Sequence, residues 1–239
     1  MGGKTLLTVA VLLGFAFSAA AEPVTLAFTE FYPITRTENG QPAGPGLEVA
    51  RRLTEGLPIE ILPEATPLRR LMVMTETRPL IVAALIRTAG REDHFRWIGE
   101  LYHDSLVMVT KKPHPRIDDL DTARHLGHIG VTLGGVAESM LQERHFTNVE
   151  PSLDMTAQAR KLANGRVDAW CGLKQSVRDS WSVIGREAED IEIGEEIIPV
   201  SIWITASLPV PDELVEELRR RYAQMQRDGT LDRILAGLR

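Results

Sequence analysis

An uninterrupted apolar run over residues 79–86 constrains the fold more than any other segment of the chain. Its sequence is Pro-Leu-Ile-Val-Ala-Ala-Leu-Ile, with Arg78 before it and Arg87 after it. Such a run is typical of a strand that is buried on both faces of a parallel sheet. Strand signals at residues 24–28 and 59–62 precede it, and apolar residues at helical spacing follow each of them. The order β-α-β-α-β predicts a doubly wound α/β unit.

The same alternation resumes near residue 106 and predicts a second α/β unit. Its strand signals lie at residues 106–110, 128–133, 167–171 and 197–204. Helices are predicted at residues 134–141, 155–162, 211–226 and 230–238. We therefore expect two α/β lobes, with connections that cross between them near residues 105–110 and 197–204.

The first residues have the order of a secretory signal peptide. Lys4 provides a positive head, residues 6–17 form an apolar core, and Ala19-Ala20-Ala21 is a small-residue cleavage site. The apolar core is shorter than the roughly 20 residues that a membrane-spanning helix needs. We expect residues 1–21 to be removed by cleavage after Ala21, with no direct membrane insertion, and the processed protein to work in the periplasm.

Charge and cysteine content argue against several classes of partner and cofactor. The formal net charge is −6 at pH 7 and no basic tract is present, so nucleic acid is not an expected partner. Cys171 is the single cysteine, and its apolar neighbours predict a buried, inert thiol. His125 and His128 lie near three aspartates but lack metal-ligand spacing, so we expect no metal, and no motif indicates a cofactor.

Candidate ligand-binding residues follow from the rule that open parallel sheets bind ligands beyond the carboxyl ends of their strands. The residues at these positions are Glu30, Tyr32, Arg87, Arg91, Gly134, Gly135 and Lys174. An arginine fork suits a carboxylate, and a glycine pair before a helix lets backbone N–H groups approach an anion. Each residue also has a structural alternative: a solvated ion-pairing arginine, a tight turn, or a core tyrosine.

Four segments carry a family resemblance over essentially the whole chain after residue 21. They are residues 85–102, 130–138, 162–169 and 228–235. In this order they resemble the family-3 extracellular solute-binding proteins, the periplasmic receptors of amino acid ABC transporters. The resemblance implies a type II periplasmic-binding-protein-like fold, in which two doubly wound lobes are joined by two crossing strands. It divides the chain into lobe 1, residues 22–107 and 201–239, and lobe 2, residues 108–200.

The resemblance also assigns roles to individual residues. Arg91 falls on the arginine that grips a ligand carboxylate, and Tyr32 falls near the aromatic residue that covers the ligand side chain. The position of the amine-binding aspartate is Gly172 here. Glu30 is then the acid that could take an ammonium group.

The basic residues point to a second possibility for the ligand. If Arg87 and Lys174 face the cleft together with Arg91, they favour an anionic ligand such as a carboxylate or an acidic peptide.

The expected function is that of a monomeric, non-enzymatic binding protein. It would capture a small polar solute between its lobes and deliver it to an ABC permease in the inner membrane. Two alternatives remain open at this point. One is a periplasmic enzyme on the same scaffold, similar to cyclohexadienyl dehydratases, with Glu30 as the acid. The other is an orphan receptor that presents its closed form to a sensor partner and has no transporter.

Overall fold

A computed structural model describes residues 22–238, and the predicted signal peptide lies outside the described residues. The first part of the chain alternates short strands and helices. Its elements are β1 (Thr25–Ala27), β2 (Arg36–Glu38), β3 (Gln41–Ala43), α1 (Pro45–Thr54), β4 (Glu60–Ile61), α2 (Leu68–Thr77) and β5 (Leu80–Arg87). A 3₁₀ turn at Ala89–His94 follows β5.

The second part of the chain lies between two long strands, and two helices end it. The elements are β6 (Phe95–Lys111), α3 (Leu120–Ala123), β7 (Ile129–Thr132), α4 (Val136–Glu143), β8 (Val149–Ser152), α5 (Met155–Ala163), β9 (Ala169–Leu173), α6 (Lys174–Val183), β10 (Ile191–Ser207), α7 (Asp212–Arg227) and α8 (Thr230–Leu235). Within residues 22–238, no helix combines the length and the apolar character that crossing a bilayer requires.

Hydrogen bonding joins eight strands into one sheet with the order β4-β1-β5-β10-β6-β9-β7-β8. β4, β1 and β5 are parallel to one another, as are β9, β7 and β8. Between these two groups run β6 and β10, which are 17 residues each and antiparallel to each other. We call the elements around β4-β1-β5 lobe 1 and those around β9-β7-β8 lobe 2. The predicted α/β fold with two crossing strands is confirmed, while the division of the chain at residues 107/108 and 200/201 stays a prediction.

The apolar run that forms β5 packs on both faces, as its composition predicts. Ile81 and Ala83 join a hydrophobic cluster that also contains residues of α1. Leu80 and Val82 point the other way, into a cluster with Leu71 of α2. Since successive side chains of a strand alternate between faces, a strand buried on both faces must be apolar throughout.

A β-hairpin precedes α1, in a segment whose turn residues predict only a loop. Asn39 and Gly40 connect β2 and β3, and both have positive φ angles, 52° and 73°. This pair at the tip of a two-residue hairpin is typical of a type I′ turn, which matches the twist of its flanking strands. The hairpin lies beside the cavity described next.

Candidate functional site

A small cavity of about 50 Å³ lies where the two lobes meet. Lobe 1 contributes Thr29, Glu30, Phe31, Leu68, Ala84, Leu85, Ile86 and Arg91. Lobe 2 contributes Thr132, Gly135, Val136, Ala137, Leu153, Met155, Cys171, Gly172 and Leu173, and β6 adds Leu106. The ends of β1, β5, β7 and β9 thus converge on one space, as expected for open parallel sheets. The volume corresponds to about four water molecules, which suits a small ligand.

Arg91 forms part of the cavity wall and bridges the two lobes. One terminal nitrogen of its guanidinium, Nη1, donates a hydrogen bond to the carbonyl oxygen of Ile86 at 3.0 Å. The other, Nη2, donates to the carbonyl oxygen of Gly134 in lobe 2 at 3.1 Å. Burial lowers the pKa of Arg91 to about 10. No carboxylate within residues 22–238 forms an ion pair with it, so a desolvated cation lies beside the cavity without a counter-ion.

Glu30 follows β1 and brings a carboxylate to the same cavity. Its Oε1 accepts a hydrogen bond from the backbone N–H of Thr37 in the hairpin at 2.9 Å. Its Oε2 is buried, and the side chain of Tyr32 lies close enough to the carboxylate to interact with it as a hydrogen-bond donor. Among the described residues that line the cavity, Glu30 and Arg91 are the charged ones. Lobe 1 therefore contributes both a cation and an anion to the cavity wall.

The aromatic residue in the cavity wall is Phe31, and the adjacent Tyr32 lies outside the wall. Phe31 is 5% exposed and packs in the hydrophobic core. Tyr32 is half-buried, and burial, together with the nearby Glu30 carboxylate, raises its pKa. The sequence does not show which of the two aromatic side chains faces the cavity. Their orientations are set by a backbone turn that is closed by hydrogen bonds between Phe31 and Thr35.

The glycine pair at the start of α4 allows the lobes to approach closely. Gly134 has a φ of +76°, and a Cβ atom there would lie 3.3 Å from the Cα and Cβ atoms of Arg69. The N–H of Gly135 donates to the carbonyl oxygen of Thr132 at 2.9 Å, so that donor is already used within the turn. Gly135 lines the cavity, and the carbonyl oxygen of Gly134 receives Arg91.

Arg87 and Lys174 lie outside the cavity wall. Arg87 Nε donates to an oxygen of Glu92 at 2.9 Å, and its guanidinium stacks 4.6 Å from the ring centroid of Trp203. Lys174 begins α6 with its side chain exposed. The structure therefore brings together Glu30, Arg91 and Gly135 around the cavity, and does not bring the three predicted basic residues together.

Cys171 also lines the cavity, where it contributes an apolar surface. It is 1% exposed, and burial raises the pKa of its thiol to about 12. The prediction of a buried cysteine is confirmed. Within residues 22–238, no three side chains of His, Cys, Asp or Glu come together as a metal site.

A wider groove of about 740 Å³ lies on the other side of Arg91, between α2 and α4. The other charged residues that line it are exposed, namely Arg69, Glu76, Glu143 and Arg144. The smaller cavity is the better candidate site because strand ends converge there and because the desolvated Arg91 and the buried Oε2 of Glu30 lie in its wall.

Comparison of the fold with solved structures gives matches along nearly the whole chain. A mutant of the arginine-binding protein of T. maritima matches with a TM-score of 0.77 and 16% identity, over 90% of this chain and 93% of that chain. The substrate-binding protein of an amino acid ABC transporter gives 0.72 and 19%, over 90% and 97%. A histidine kinase sensor domain with similarity to periplasmic binding proteins gives 0.80 and 15%, over 90% and 95%.

The chain has the periplasmic-binding-protein-like fold. No protein-family model and no curated protein matches its sequence. At 15–19% identity, the chain and its neighbours share this fold, which the sequence motifs predict.

Proposed function

We propose that this protein is a periplasmic solute-binding protein that captures a small carboxylate-bearing ligand between its lobes. It would act as a monomer and deliver the ligand to an ABC permease in the inner membrane. The observation that carries the proposal is the desolvated Arg91 guanidinium, which has no ion-pair partner within residues 22–238 and lies in the wall of the interlobe cavity. A guanidinium has five N–H donors in a planar fork that matches the two oxygens of a carboxylate.

The position of Arg91 couples ligand binding to the arrangement of the lobes. Its bond to Ile86 fixes the side chain on lobe 1, and its bond to Gly134 reaches lobe 2. A carboxylate held by this residue would neutralise a charge at the point where the lobes touch. Such a ligand binds the closed arrangement better than the open one, and this differential affinity shifts the protein toward closure.

The structural neighbours support a binding role in general terms. Two of the three proteins described above are named for binding arginine or for serving an amino acid ABC transporter. Their names describe those proteins, and the proposal transfers only the class of role to this chain.

The test is a thermal-shift screen of the purified protein after unfolding and refolding, which removes carried ligand. The panel contains amino acids, monocarboxylates, dicarboxylates, short peptides and polyamines. A ligand at 1,000 times its Kd adds about 4 kcal/mol to the free energy of unfolding, so a true ligand gives a clear rise in Tm. We expect a carboxylate-bearing compound to give this rise.

Arg91→Lys keeps the positive charge but loses the planar fork, and we expect it to weaken binding of that compound by at least about tenfold. Arg52→Ala, which removes an exposed arginine on α1, is the matched control and should bind normally. Equal affinity in wild type and Arg91→Lys would contradict the role given to Arg91. A panel that shifts only with polyamines would contradict a carboxylate ligand.

The histidine kinase sensor domain among the neighbours favours a second candidate, a receptor that signals without a transporter. Uptake of the identified ligand separates the two functions. Cells that lack this protein should lose high-affinity uptake if it serves a permease. Normal uptake with loss of a transcriptional response to the ligand would favour the receptor.

For the enzymatic alternative, turnover of prephenate that is abolished in Glu30→Gln would be the deciding result.

A further inference from the structure

We infer that the ligand is a short alkyl monocarboxylate without an amino group. Its carboxylate would bind Arg91, and its alkyl chain would lie against the apolar wall that lobe 2 contributes to the cavity. Acetate, propionate and butyrate belong to this class. The inference rests on the proposed binding function and names the chemical class of its ligand.

Arg91 retains enough hydrogen-bond donors for one carboxylate. A guanidinium has five N–H groups. Among the described residues, two of these groups are used by the carbonyl oxygens of Ile86 and Gly134. The others can make a two-point contact with the oxygens of a carboxylate. Because Arg91 is the one cation among the described residues of the wall, a ligand with a single negative charge neutralises it.

The carboxylate of Glu30 already interacts with donors of the protein itself. The backbone N–H of Thr37 donates to its Oε1 at 2.9 Å, and the Tyr32 hydroxyl interacts with the same carboxylate as a hydrogen-bond donor. Since these neutral donors satisfy the carboxylate in place, it does not need an ammonium group from a ligand. They also hold it away from an ion pair with Arg91 within residues 22–238, which leaves the guanidinium free. The negative charge of Glu30 disfavours a second carboxylate on the ligand.

The rest of the cavity wall is mainly apolar. Apart from its two charged residues, the described wall has two hydroxyl side chains, Thr29 and Thr132. The apolar residues of lobe 2 in the wall are Val136, Ala137, Leu153, Met155, Cys171 and Leu173. An ammonium group against this surface would lose its hydration without a carboxylate to replace it. A methylene group buried there increases the affinity about fourfold, so the surface suits an alkyl chain.

The size of the cavity limits the length of that chain. The volume of about 50 Å³ accommodates about four to six non-hydrogen atoms, the range from acetate to butyrate. Leu153 lines the cavity and is nevertheless 62% exposed, so the wall opens to solvent beside it. The end of a longer chain would extend past Leu153 into water, where further methylene groups add little affinity.

The test is isothermal titration calorimetry on the refolded protein with acetate, propionate, butyrate and hexanoate. L-2-aminobutyrate adds an ammonium group to butyrate, and succinate adds a second carboxylate to the same carbon chain. We expect the affinity to rise about fourfold per methylene group as far as butyrate, and to change little from butyrate to hexanoate. Butyrate should bind at least about tenfold more tightly than L-2-aminobutyrate or succinate, because each of these carries a charge that the wall does not satisfy.

Met155→Gln tests the position of the alkyl chain, because it places an amide in the apolar wall at nearly constant side-chain length. We expect this variant to lose most of the gain in affinity from acetate to butyrate and to bind acetate as wild type does. Met74→Gln is the matched control: Met74 is also half-buried, but it packs against the hydrophobic cluster on lobe 1 and lies outside the cavity wall. Thermal unfolding of both variants without ligand checks that they are folded. The comparison of compounds in wild type does not depend on either variant.

The outcomes separate this inference from the function on which it rests. L-2-aminobutyrate or succinate binding as tightly as butyrate overturns the inference and leaves a carboxylate-binding protein. An undiminished gain from acetate to butyrate in Met155→Gln overturns the placement of the chain against lobe 2. If no compound with a carboxylate binds, the proposed function fails and the inference fails with it.

Discussion

At the scale of single residues, Gly134 satisfies two separate requirements of the contact between the lobes. Its φ of +76° lies in the left-handed region, where a side chain is strained. Its missing Cβ also leaves room for the backbone of Arg69 on the opposite lobe. The first requirement concerns the stability of the turn, and the second concerns closure.

Gly134→Ala should therefore lower both the free energy of unfolding and the affinity for ligand. The left-handed conformation costs about 1–2 kcal/mol for a non-glycine residue, and the new Cβ would press on Arg69 when the lobes meet. Gly165→Ala is the matched control, because Gly165 has a φ of +66° and no atom within 4 Å of the added Cβ. Urea unfolding should show a loss in both variants, and calorimetry should show weaker binding only in Gly134→Ala. Equal affinity in the two variants would mean that residue 134 does not limit closure.

Cys171 should be unreactive in the folded protein although it lines the ligand cavity. Burial raises the pKa of its thiol to about 12, so the thiolate that reacts with disulfide reagents forms only near that pH. At pH 8 we expect the absorbance assay with a chromogenic disulfide to show no reaction in buffer and one thiol in urea. Rapid reaction in buffer would indicate a cavity more open than the one described here.

The residues of the site were only partly predictable from the sequence. Arg91 and Glu30 are both among the predicted residues, but Arg87 lies four positions from Arg91 and has the same chemistry. What separates them is the 3₁₀ turn after β5 and the ring of Trp203, which belongs to a strand more than a hundred residues later. A contact of that range leaves no local trace in the sequence.

At the scale of elements, the β2–β3 hairpin acts as a support for Glu30 through one backbone N–H. Thr37→Pro removes this N–H donor, whereas Thr37→Val keeps it. The Thr37 side chain is exposed, so neither change disturbs packing in the core. We expect the proline variant to bind the ligand found in the thermal-shift screen about tenfold more weakly, because a hydrogen bond to a charged group is lost. The valine variant should bind as wild type does. Titration calorimetry on both variants tests the role of the hairpin, and equal affinities would show that Glu30 is held by other contacts.

The predictability of an element depended on whether its signals were local. α1, α5 and β5 lie where apolar spacing and turn residues predict them. α6 was missed, since it follows β9 without an intervening turn and has no capping residue of its own. Its first N–H groups are satisfied from β6 instead, where Asp104 accepts from Gln175 at 3.2 Å. Residues 95–105, the first part of β6, were also not predicted as a strand. Polar residues interrupt the apolar pattern of this segment, and its strand conformation depends on pairing with β10, which lies far away in the sequence.

At the scale of the whole molecule, α2 of lobe 1 and the turn before α4 of lobe 2 are close enough to be joined covalently. A Cβ at residue 134 would lie 3.3 Å from the Cβ of Arg69, near the roughly 3.5–4.5 Å found in disulfides. The double variant Arg69→Cys, Gly134→Cys should form a disulfide on mild oxidation. The buried Cys171 should not compete for it.

Locking the lobes together should slow the exchange of ligand. We expect the oxidised double variant, loaded with ligand beforehand, to release it far more slowly than the reduced form in a stopped-flow chase. Addition of reductant should restore the wild-type rate, which is the internal control. Failure of the disulfide to form would mean that the two elements do not meet in solution.

The strand order also determines when each lobe can be completed as the chain is made. β5 pairs with residues 201–206 of β10, and the whole of lobe 2 is encoded between β6 and β10. Until β10 emerges, β5 has an unpaired edge and apolar residues on both faces. The parallel strands of lobe 2 pair with one another and with β6, and all of these strands are made before β10. The lobe that begins the chain is therefore expected to fold last, and the nascent protein must be kept from aggregating until its final strand is available.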